Sequence, residues 1–222
     1  MIEETVFTKE EIIEIVKNNY NIEVDQIEKL DRGSANLYSL NNNKYILKEF
    51  QSKYTKDEID KEIAIINHLS EDDIPVPEYV KTLSGEYSII YKGRVIIIQK
   101  YIEGYTMESN TGDYSQMLES AEYLGKIIKS LETLNFDLPS NDVSSWYSQE
   151  TIDESIEKQE NLLKKISKNT YPQIYKDLTD KISMLKYIKD NLDFKDMNKL
   201  TVMNTHGDYS VLQFIYKDGK IN

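Results

Sequence analysis

The sequence predicts an α+β fold, with a strand-rich N-terminal part followed by a mainly helical C-terminal part. Two observations support this prediction. Between about residues 24 and 103, short apolar segments alternate with turn residues and show the two-residue period of strands. From about residue 113 to 196, apolar residues recur every three or four positions, as in amphipathic helices. We therefore predict two domains, residues 1–103 and 104–222.

Two helices with capping boxes are predicted within the N-terminal part. The first covers residues 8–20, where Thr8 can cap the helix and Glu11 can reach back to the cap. The second begins with the same spacing at Thr55 and Glu58, and an apolar stripe follows it. We expect the second helix to pack on the sheet, because its stripe repeats with the helical period.

Three turns divide the predicted strands. Asn41–Asn43 suits a hairpin because asparagine tolerates left-handed backbone angles. Lys92–Gly93 and Asp218–Gly219 also lie between apolar or β-branched segments. After residue 200 the sequence predicts a return to short strands. The proline pair in "IPVPEYV" forces an extended connection before the second predicted hairpin.

Composition excludes several classes of function. The formal charge of −12 repels nucleic acid and anionic membranes, so we expect neither as a partner. The chain contains no cysteine, which excludes disulfides, thiolate metal ligands and thiol nucleophiles. No apolar run is long enough to cross a bilayer. We expect a soluble cytoplasmic protein.

Lys48 and Glu62 form the first candidate pair. Lys48 stands inside the apolar strand "YILKEF", where a lysine either extends into solvent or meets an anion. Glu62 borders the apolar stripe of the second predicted helix. A strand lysine opposite a helix glutamate is the arrangement that phosphoryl-transfer enzymes use to hold nucleotide phosphates. The alternative is that both side chains are ordinary solvated charges.

A glycine-containing turn lies before Lys48. In "DRGSANLYSL", Gly33 can supply a flexible turn with backbone N–H groups that cover phosphates, and Ser34 and Asn36 can add donors. A single glycine is equally compatible with a turn that merely needs a positive φ angle.

His206 and Asp208 form the second candidate pair. They lie in "NTHGDYSVLQF", between an apolar segment and a hairpin. In a catalytic loop of this kind the aspartate orients a hydroxyl group, and a residue five positions later binds metal. That later residue is Gln213. The alternative is a capped surface loop, in which aspartate is common.

Taken in order, these motifs resemble the aminoglycoside phosphotransferase family. The family is related to choline kinases and has a protein-kinase-like two-lobed fold. The segments that carry the resemblance are "YILKEF", "DEIDKEIAIINHL", "IPVP", "VIIIQKYIEG" and "THGDYSVLQFIY". The resemblance runs from about residue 25 to the end of the chain. It implies an N-terminal lobe made of an antiparallel sheet with one long helix, and an incomplete, mainly helical C-terminal lobe.

The resemblance also implies a role for each candidate residue. Lys48 would contact the α- and β-phosphates of ATP or GTP, and Glu62 would pair with Lys48. Asp208 would be the catalytic base or would orient the hydroxyl, and His206 would brace the loop. The remaining implied positions bind the nucleotide: the Gly33–Asn36 turn over the phosphates, backbone groups of Lys100 and Ile102 at the purine edge, and Gln99 at the back of the purine pocket.

Two departures from the family pattern bear on Mg²⁺. The family usually has asparagine at the position of Gln213, whose amide lies one methylene further out. The family also has a metal-binding aspartate in a strand just after the hairpin, and this sequence ends at Asn222 before such a strand. We expect a C-terminally truncated chain that transfers phosphate poorly.

Three functions therefore stay open. The first is an ATP-dependent phosphotransferase acting on a hydroxyl of a small polar, aminoglycoside-like molecule, and the acidic net charge favours a cationic acceptor. The second is a nucleotide-binding pseudokinase or scaffold of the same fold. The third is an acidic helical interaction module whose motif matches are coincidental.

Overall fold

The protein forms two compact units. The computed structural model describes residues 3–30, 35–108, 111–135, 148–197, 199 and 201–222. One unit comprises Met1–Asn135 with Met203–Asn222, and the other comprises Phe136–Val202. The predicted division into residues 1–103 and 104–222 concerns functional lobes, and it stays a prediction.

A five-stranded sheet forms the centre of the first unit. Its strands are β1 (Ile27–Leu30), β2 (Asn36–Leu40), β3 (Tyr45–Glu49), β4 (Ser88–Tyr91) and β5 (Arg94–Lys100). They pair in the order β1-β2-β3-β5-β4, and each neighbouring pair is antiparallel. β5 is flanked by strands on both sides, and all its residues except Lys100 are buried. Its run of β-branched residues is typical of a strand covered on both faces.

Two helices cover the opposite faces of this sheet. They are α1 (Lys9–Tyr20) and α2 (Lys56–Glu71), and both have the predicted capping box. Successive residues of a strand point to opposite sides. On β5, Ile96 packs in the cluster that contains α1 residues, and Ile97 packs in the cluster that contains α2 residues. The sheet therefore presents one face to each helix, and Lys48 lies on the α2 side.

The three predicted turns form. Asn41–Asn43 adopt φ angles of 53°, 54° and 61°. The turns at Lys92–Gly93 and Asp218–Gly219 also have positive φ at both positions. Left-handed angles at both central residues match the twist of two-residue hairpins. Turn chemistry was thus readable from the sequence alone.

The rest of the first unit consists of one helix and a short hairpin. Helix α3 (Tyr114–Leu131) begins at a capping box that the sequence did not predict, with Asp113 as the cap. The hairpin consists of β6 (Tyr216–Lys217) and β7 (Lys220–Ile221), preceded by a 3₁₀ turn. Predicted strand structure directly after residue 200 is wrong, because residues 201–206 form no strand. Val202 is 96% exposed there, so no sheet covers it.

Among its described residues, the second unit contains three helices and no strand. They are α4 (Gln149–Leu163), α5 (Pro172–Asn191) and the short α6 (Phe194–Met197). Pro172 occupies the first turn of α5, where its missing N–H costs nothing. The observed strands and helices confirm the α+β class. Across the residues described, none of the helices is both long and apolar enough to span a membrane.

Candidate functional site

Lys48 lies in an apolar environment beneath α2. On β3 it pairs in register with Leu37 of β2 and Ile97 of β5, on the face that packs against α2. Its side chain is half-buried, and burial lowers the pKa of its ammonium group below the ordinary value. Placing a cation in such surroundings is unfavourable unless an anion accompanies it. Lys48 is therefore not an ordinary exposed strand lysine.

The carboxylate of Glu62 acts electrostatically on Lys48. It lies on the exposed side of α2, and its negative charge partly offsets the effect of burial on the pKa of Lys48. Within the described part of the chain, the ammonium group of Lys48 makes no salt bridge or hydrogen bond. The two residues are thus brought near each other without closing an ion pair. A half-buried ammonium in this state can accept a further anion.

Tyr79 belongs to the same group, and sequence reasoning missed it. Its ring is buried in the cluster under α2, and burial together with the negative charge of Glu62 raises the pKa of its hydroxyl. Tyr79 forms an antiparallel bridge with Gln99. The extended "IPVPEYV" segment was a signal that a further chain could lie along the sheet, but it did not specify the partner.

Gln99 is buried next to this group, at the end of β5. Gln99 is 8% exposed, and its Oε1 atom has no hydrogen-bond partner among the described residues. A buried, unpartnered carbonyl oxygen costs free energy. A ligand with an N–H group would satisfy it. The amide can equally be turned to donate, so the side chain of Gln99 can either accept a hydrogen bond from a ligand or donate one to it.

Two of the backbone N–H groups that follow Gln99 already donate hydrogen bonds within the protein. The N–H of Lys100 donates to the carbonyl of Glu78 at 2.8 Å, and the N–H of Tyr101 donates to the carbonyl of Lys44 at 3.1 Å. The N–H of Ile102 has no hydrogen-bond partner in the part of the chain that the structure describes. The backbone N–H of Ile102 therefore remains able to donate to a ligand, whereas that of Lys100 already has an acceptor.

The predicted phosphate turn is only partly described. Gly33 and Ser34 lie outside the described residues. Asn36 is buried at the start of β2, and its Nδ2 donates to the carbonyl of Glu3 at 3.0 Å. Its side chain therefore helps to hold the N-terminal segment, a use that the sequence did not predict.

The second candidate pair lies on a loop that aromatic contacts hold in place. The ring of His206 meets the ring of Tyr209 edge-on, with 5.4 Å between centroids. Tyr209 in turn packs edge-on against Phe214 at 4.9 Å and donates its hydroxyl to the carbonyl of Ser120 on α3. A ring contact thus links His206 to Tyr209, and a hydrogen bond links Tyr209 to α3. Asp208, two residues after His206, is exposed and open to a ligand.

Gln213 and Asp208 are in contact. The Nε2 of Gln213 donates to Oδ2 of Asp208 at 3.3 Å, across the 3₁₀ turn. The described residues contain no group of three His, Cys, Asp or Glu side chains that could hold a metal ion. The donor set is one carboxylate with one amide oxygen. Mg²⁺ commonly binds one or two protein carboxylates together with substrate phosphates and waters. These residues fit Mg²⁺ only as such a partial set.

Both pairs belong to the first unit. Ile66, one helical turn after Glu62 on α2, packs against the cluster beneath α2. Ile66 also packs against a second cluster that contains Leu69 of α2 and residues of α3, and Tyr209 packs against this second cluster as well. Helix α2 and the segment that carries His206 and Asp208 therefore contact one cluster through Ile66 and Tyr209.

Comparison with known proteins identifies the family. Residues 26–211 match the family model APH, the phosphotransferase enzyme family. The match covers most of the chain, and the chain belongs to this family. The motif matches are therefore not coincidental, which excludes an unrelated interaction module. A comparison with curated proteins finds no match.

Solved structures of phosphotransferases share the fold. Amicoumacin kinase hAmiN, in complex with AMP-PNP, Ca²⁺ and Ami, is 16% identical with a TM-score of 0.63, covering 97% of this chain and 62% of that chain. Spectinomycin phosphotransferase APH(9)-Ia, in complex with ADP and spectinomycin, is 17% identical with a TM-score of 0.60, covering 98% and 69%. The GDP and kanamycin complex of APH(2'')-IIia is 16% identical with a TM-score of 0.61, covering 95% and 68%.

These likenesses establish the architecture. The predicted kinase-like α+β fold is confirmed, with its N-terminal antiparallel sheet and long helix. The chain spans between 62% and 69% of the length of these three structures.

Proposed function

We propose that this chain binds a nucleoside triphosphate and carries the nucleotide site and catalytic loop of a small-molecule kinase. The observation that carries the proposal is Lys48, a half-buried ammonium with a lowered pKa, no salt bridge in the described chain, and Glu62 nearby. Family membership supplies the chemistry that such a lysine serves. Lys48 then holds the α- and β-phosphates, and Glu62 keeps it charged and oriented.

The purine occupies the end of β5 in this proposal. The N–H of Ile102 donates to the purine edge, and the side chain of Gln99 contacts the base from behind. The unpartnered Oε1 of Gln99 supports this placement, because an amino group of the base would supply its missing hydrogen bond.

The acceptor hydroxyl meets Asp208. Its exposed carboxylate accepts a hydrogen bond from the hydroxyl, orients its oxygen toward the γ-phosphorus, and takes up the proton as the phosphoryl group transfers. His206 contributes by bracing the loop through Tyr209, which fixes the direction in which Asp208 points. Catalysis of this kind depends on positioning within a fraction of an ångström.

The carboxylate of Asp208 and the amide oxygen of Gln213 would help to hold a divalent cation together with the nucleotide. When bound, Mg²⁺ supplies charge stabilisation to the phosphoryl oxygens. For Gln213 to present its oxygen, the amide must turn from its present contact, in which its nitrogen faces Asp208. We infer a weak metal site that needs the nucleotide to complete it.

The acceptor is proposed to be a small polar cation. The net charge of −12 attracts cations over the whole surface. Two of the similar structures contain spectinomycin and kanamycin. An aminoglycoside-like amine with a free hydroxyl fits both observations.

Two measurements test the proposal. Isothermal titration calorimetry with ATP and with GTP, each with and without Mg²⁺, tests nucleotide binding. Phosphate transfer to spectinomycin, kanamycin and amicoumacin tests the reaction. Asp208→Asn should reduce transfer about 100-fold or more while leaving the nucleotide Kd within about threefold. Asp218→Asn, at the exposed hairpin turn, is the matched control and should change neither quantity. Equal turnover in wild type and Asp208→Asn would contradict the assigned role.

A non-catalytic nucleotide-binding protein is the second candidate. The contact between the Gln213 nitrogen and Asp208 favours it, because that arrangement turns the amide oxygen away from a shared metal. Nucleotide binding that is independent of Mg²⁺, with no transfer to any of the three acceptors, would support this candidate over a kinase.

A further inference from the structure

The N-terminal segment crosses the back of the strand that carries Lys48. We call residues 3–7 the N-terminal strap. Within it, the hydroxyl of Thr5 donates to Oε2 of Glu49 at 2.5 Å, and the N–H of Val6 donates to Oε1 of Glu49 at 3.3 Å. Phe7 is buried in the cluster between the sheet and α1. The strap is thus joined to β3 by hydrogen bonds and to the core by a side chain.

Glu49 is an unusual residue to find at this position. Its side chain is 0% exposed, and it directly follows Lys48 in β3. Because neighbouring strand residues face opposite sides, Glu49 points away from α2, toward the strap. Burying a carboxylate is costly unless charged or hydrogen-bonding partners meet it. The strap supplies two of those partners, and Arg94 adds a third with its Nε at 3.9 Å.

Glu3 extends the same network to both strands beside Lys48. Its carboxylate accepts hydrogen bonds from the N–H of Ser52 at 2.9 Å and the hydroxyl of Ser52 at 2.8 Å, and it pairs with Arg94. Its carbonyl accepts the hydrogen bond from Asn36. The strap therefore ties the start of β2 to the chain just beyond β3. These points flank both the turn before β2 and Lys48 itself.

We propose that the N-terminal strap is a positioning element for Lys48, acting through Glu49, and that Glu3, Thr5 and Arg94 are its positioning residues. With the strap bound, the buried carboxylate of Glu49 holds β3 at a fixed depth between the two helices. Lys48 on the other face then stays in its apolar setting, ready for phosphate. The effect of the strap on nucleotide affinity rests on the proposed function, whereas the effect of the strap on the surroundings of Lys48 does not.

Two matched pairs of variants test this proposal. Thr5→Val removes the hydroxyl that binds Glu49 and keeps the shape, while Thr5→Ser retains the hydroxyl. Glu3→Gln removes the strap's charged contact with Arg94. Glu4→Gln makes the same charge change at an exposed neighbour that forms no hydrogen bond or salt bridge in the described chain. Thermal unfolding of all four monitors stability.

The main readout is the reactivity of Lys48. Pulsed acetylation across a pH series, read by mass spectrometry, gives the pH midpoint at which Lys48 becomes reactive. Thr5→Val and Glu3→Gln should raise this midpoint toward the ordinary lysine value, because β3 no longer holds Lys48 in the apolar cluster. Thr5→Ser and Glu4→Gln should match wild type. Glu62, the charge that acts on Lys48, and Tyr79, the other titratable group near Glu62, are kept in all four variants.

The second readout is the Kd for ATP. Thr5→Val and Glu3→Gln should weaken binding by about fivefold to tenfold, the loss expected for a disturbed charge-assisted contact, with the controls within about twofold. A lowered Tm combined with an unchanged Lys48 midpoint would show that the strap is only structural and would overturn the proposal. If wild type binds no nucleotide, the proposed function fails and the labelling series alone decides the role of the strap. Should Thr5→Val not fold, the Glu3 and Glu4 variants answer the same question.

Discussion

Among single residues, Lys48 is a cation whose charge is destabilised by burial in the folded protein. The pKa of Lys48 is lowered by burial, so the folded state tolerates its charge at a cost. For a lysine with a lowered folded-state pKa, that cost is present at neutral pH and vanishes as pH rises toward the ordinary value. Functional sites often sacrifice stability in this way.

Replacing Lys48 by methionine should therefore separate stability from binding. Lys48→Met should raise the free energy of unfolding at pH 7 by about 0.5–1 kcal/mol, because an apolar side chain suits the cluster under α2. It should also weaken ATP binding about 100-fold, the loss expected for a buried charge–phosphate contact. Urea denaturation and calorimetry check the two effects. Lys29→Met, on an exposed position of β1, should change neither, and a destabilised Lys48→Met would contradict the burial argument.

Glu3 gives a pH prediction at the same scale. The N–H of Ser52, followed by Arg94, holds the pKa of this carboxyl at about 2, below its ordinary value of 4.5. A depressed folded-state pKa stabilises the protein above pH 4.5, and this stabilisation is lost as pH falls through 2. The stability difference between wild type and Glu3→Gln should thus shrink from pH 5 to pH 2. Acid titration followed by circular dichroism measures it, and a constant difference would contradict the assignment.

Among the secondary-structure elements, most were predictable from local sequence signals such as capping boxes and turn residues. The capping boxes at Thr8 and Thr55 and the asparagine turn formed as predicted, since each depends on residues within four positions. The predicted strand structure in residues 201–206 did not form. A strand needs a partner edge, and sequence periodicity does not supply one.

Two glycines show how element context sets the effect of the same mutation. Gly125 lies in the interior of α3, and a Cβ there would meet nothing within 4 Å. Gly125→Ala should stabilise the protein by about 0.5–1 kcal/mol through helix propensity. Gly104 has φ +146°, and a Cβ there would lie 2.6 Å from Cγ2 of Ile215 and against the backbone of Tyr216.

Gly104→Ala should accordingly destabilise the protein by about 2 kcal/mol or more. The clash would open the backbone bridge between Tyr105 and Tyr216, whose N–O distances are 2.8 and 2.9 Å. Thermal unfolding of both alanine variants checks the opposite signs. A Gly104→Ala protein as stable as wild type would mean that the bridge is not tightly packed.

At the scale of the whole molecule, every candidate site residue that the structure describes belongs to one compact unit. That unit contains the sheet and also residues 203–222, which follow the second unit in sequence. Ile66 of α2 packs both against the cluster beneath α2 and against a second cluster, and Tyr209 of the His206–Asp208 loop also packs against this second cluster.

Nucleotide should therefore stabilise one unit selectively. ATP at about 100 times its Kd should add about 2.7 kcal/mol to the stability of the state that binds it. In hydrogen exchange, we expect slower exchange in residues 35–108 and 203–222, and little change in α4 and α5. Protection confined to α4 and α5 would place the nucleotide elsewhere and contradict the proposed site.

Local sequence patterns were enough to predict the long helices, the turns and the order of the motifs, and those motifs identified the family. Those features depend on neighbours along the chain or on short patterns that survive outside the fold. Tertiary packing alone leaves Lys48 half-buried with no salt bridge to another described residue, brings Tyr79 near Glu62, and joins the N-terminal strap to Glu49. Tyr79 and Glu62 are 17 residues apart in sequence, and Thr5 and Glu49 are 44 residues apart. No local period encodes such a meeting, because it arises when both faces of one sheet are covered at once.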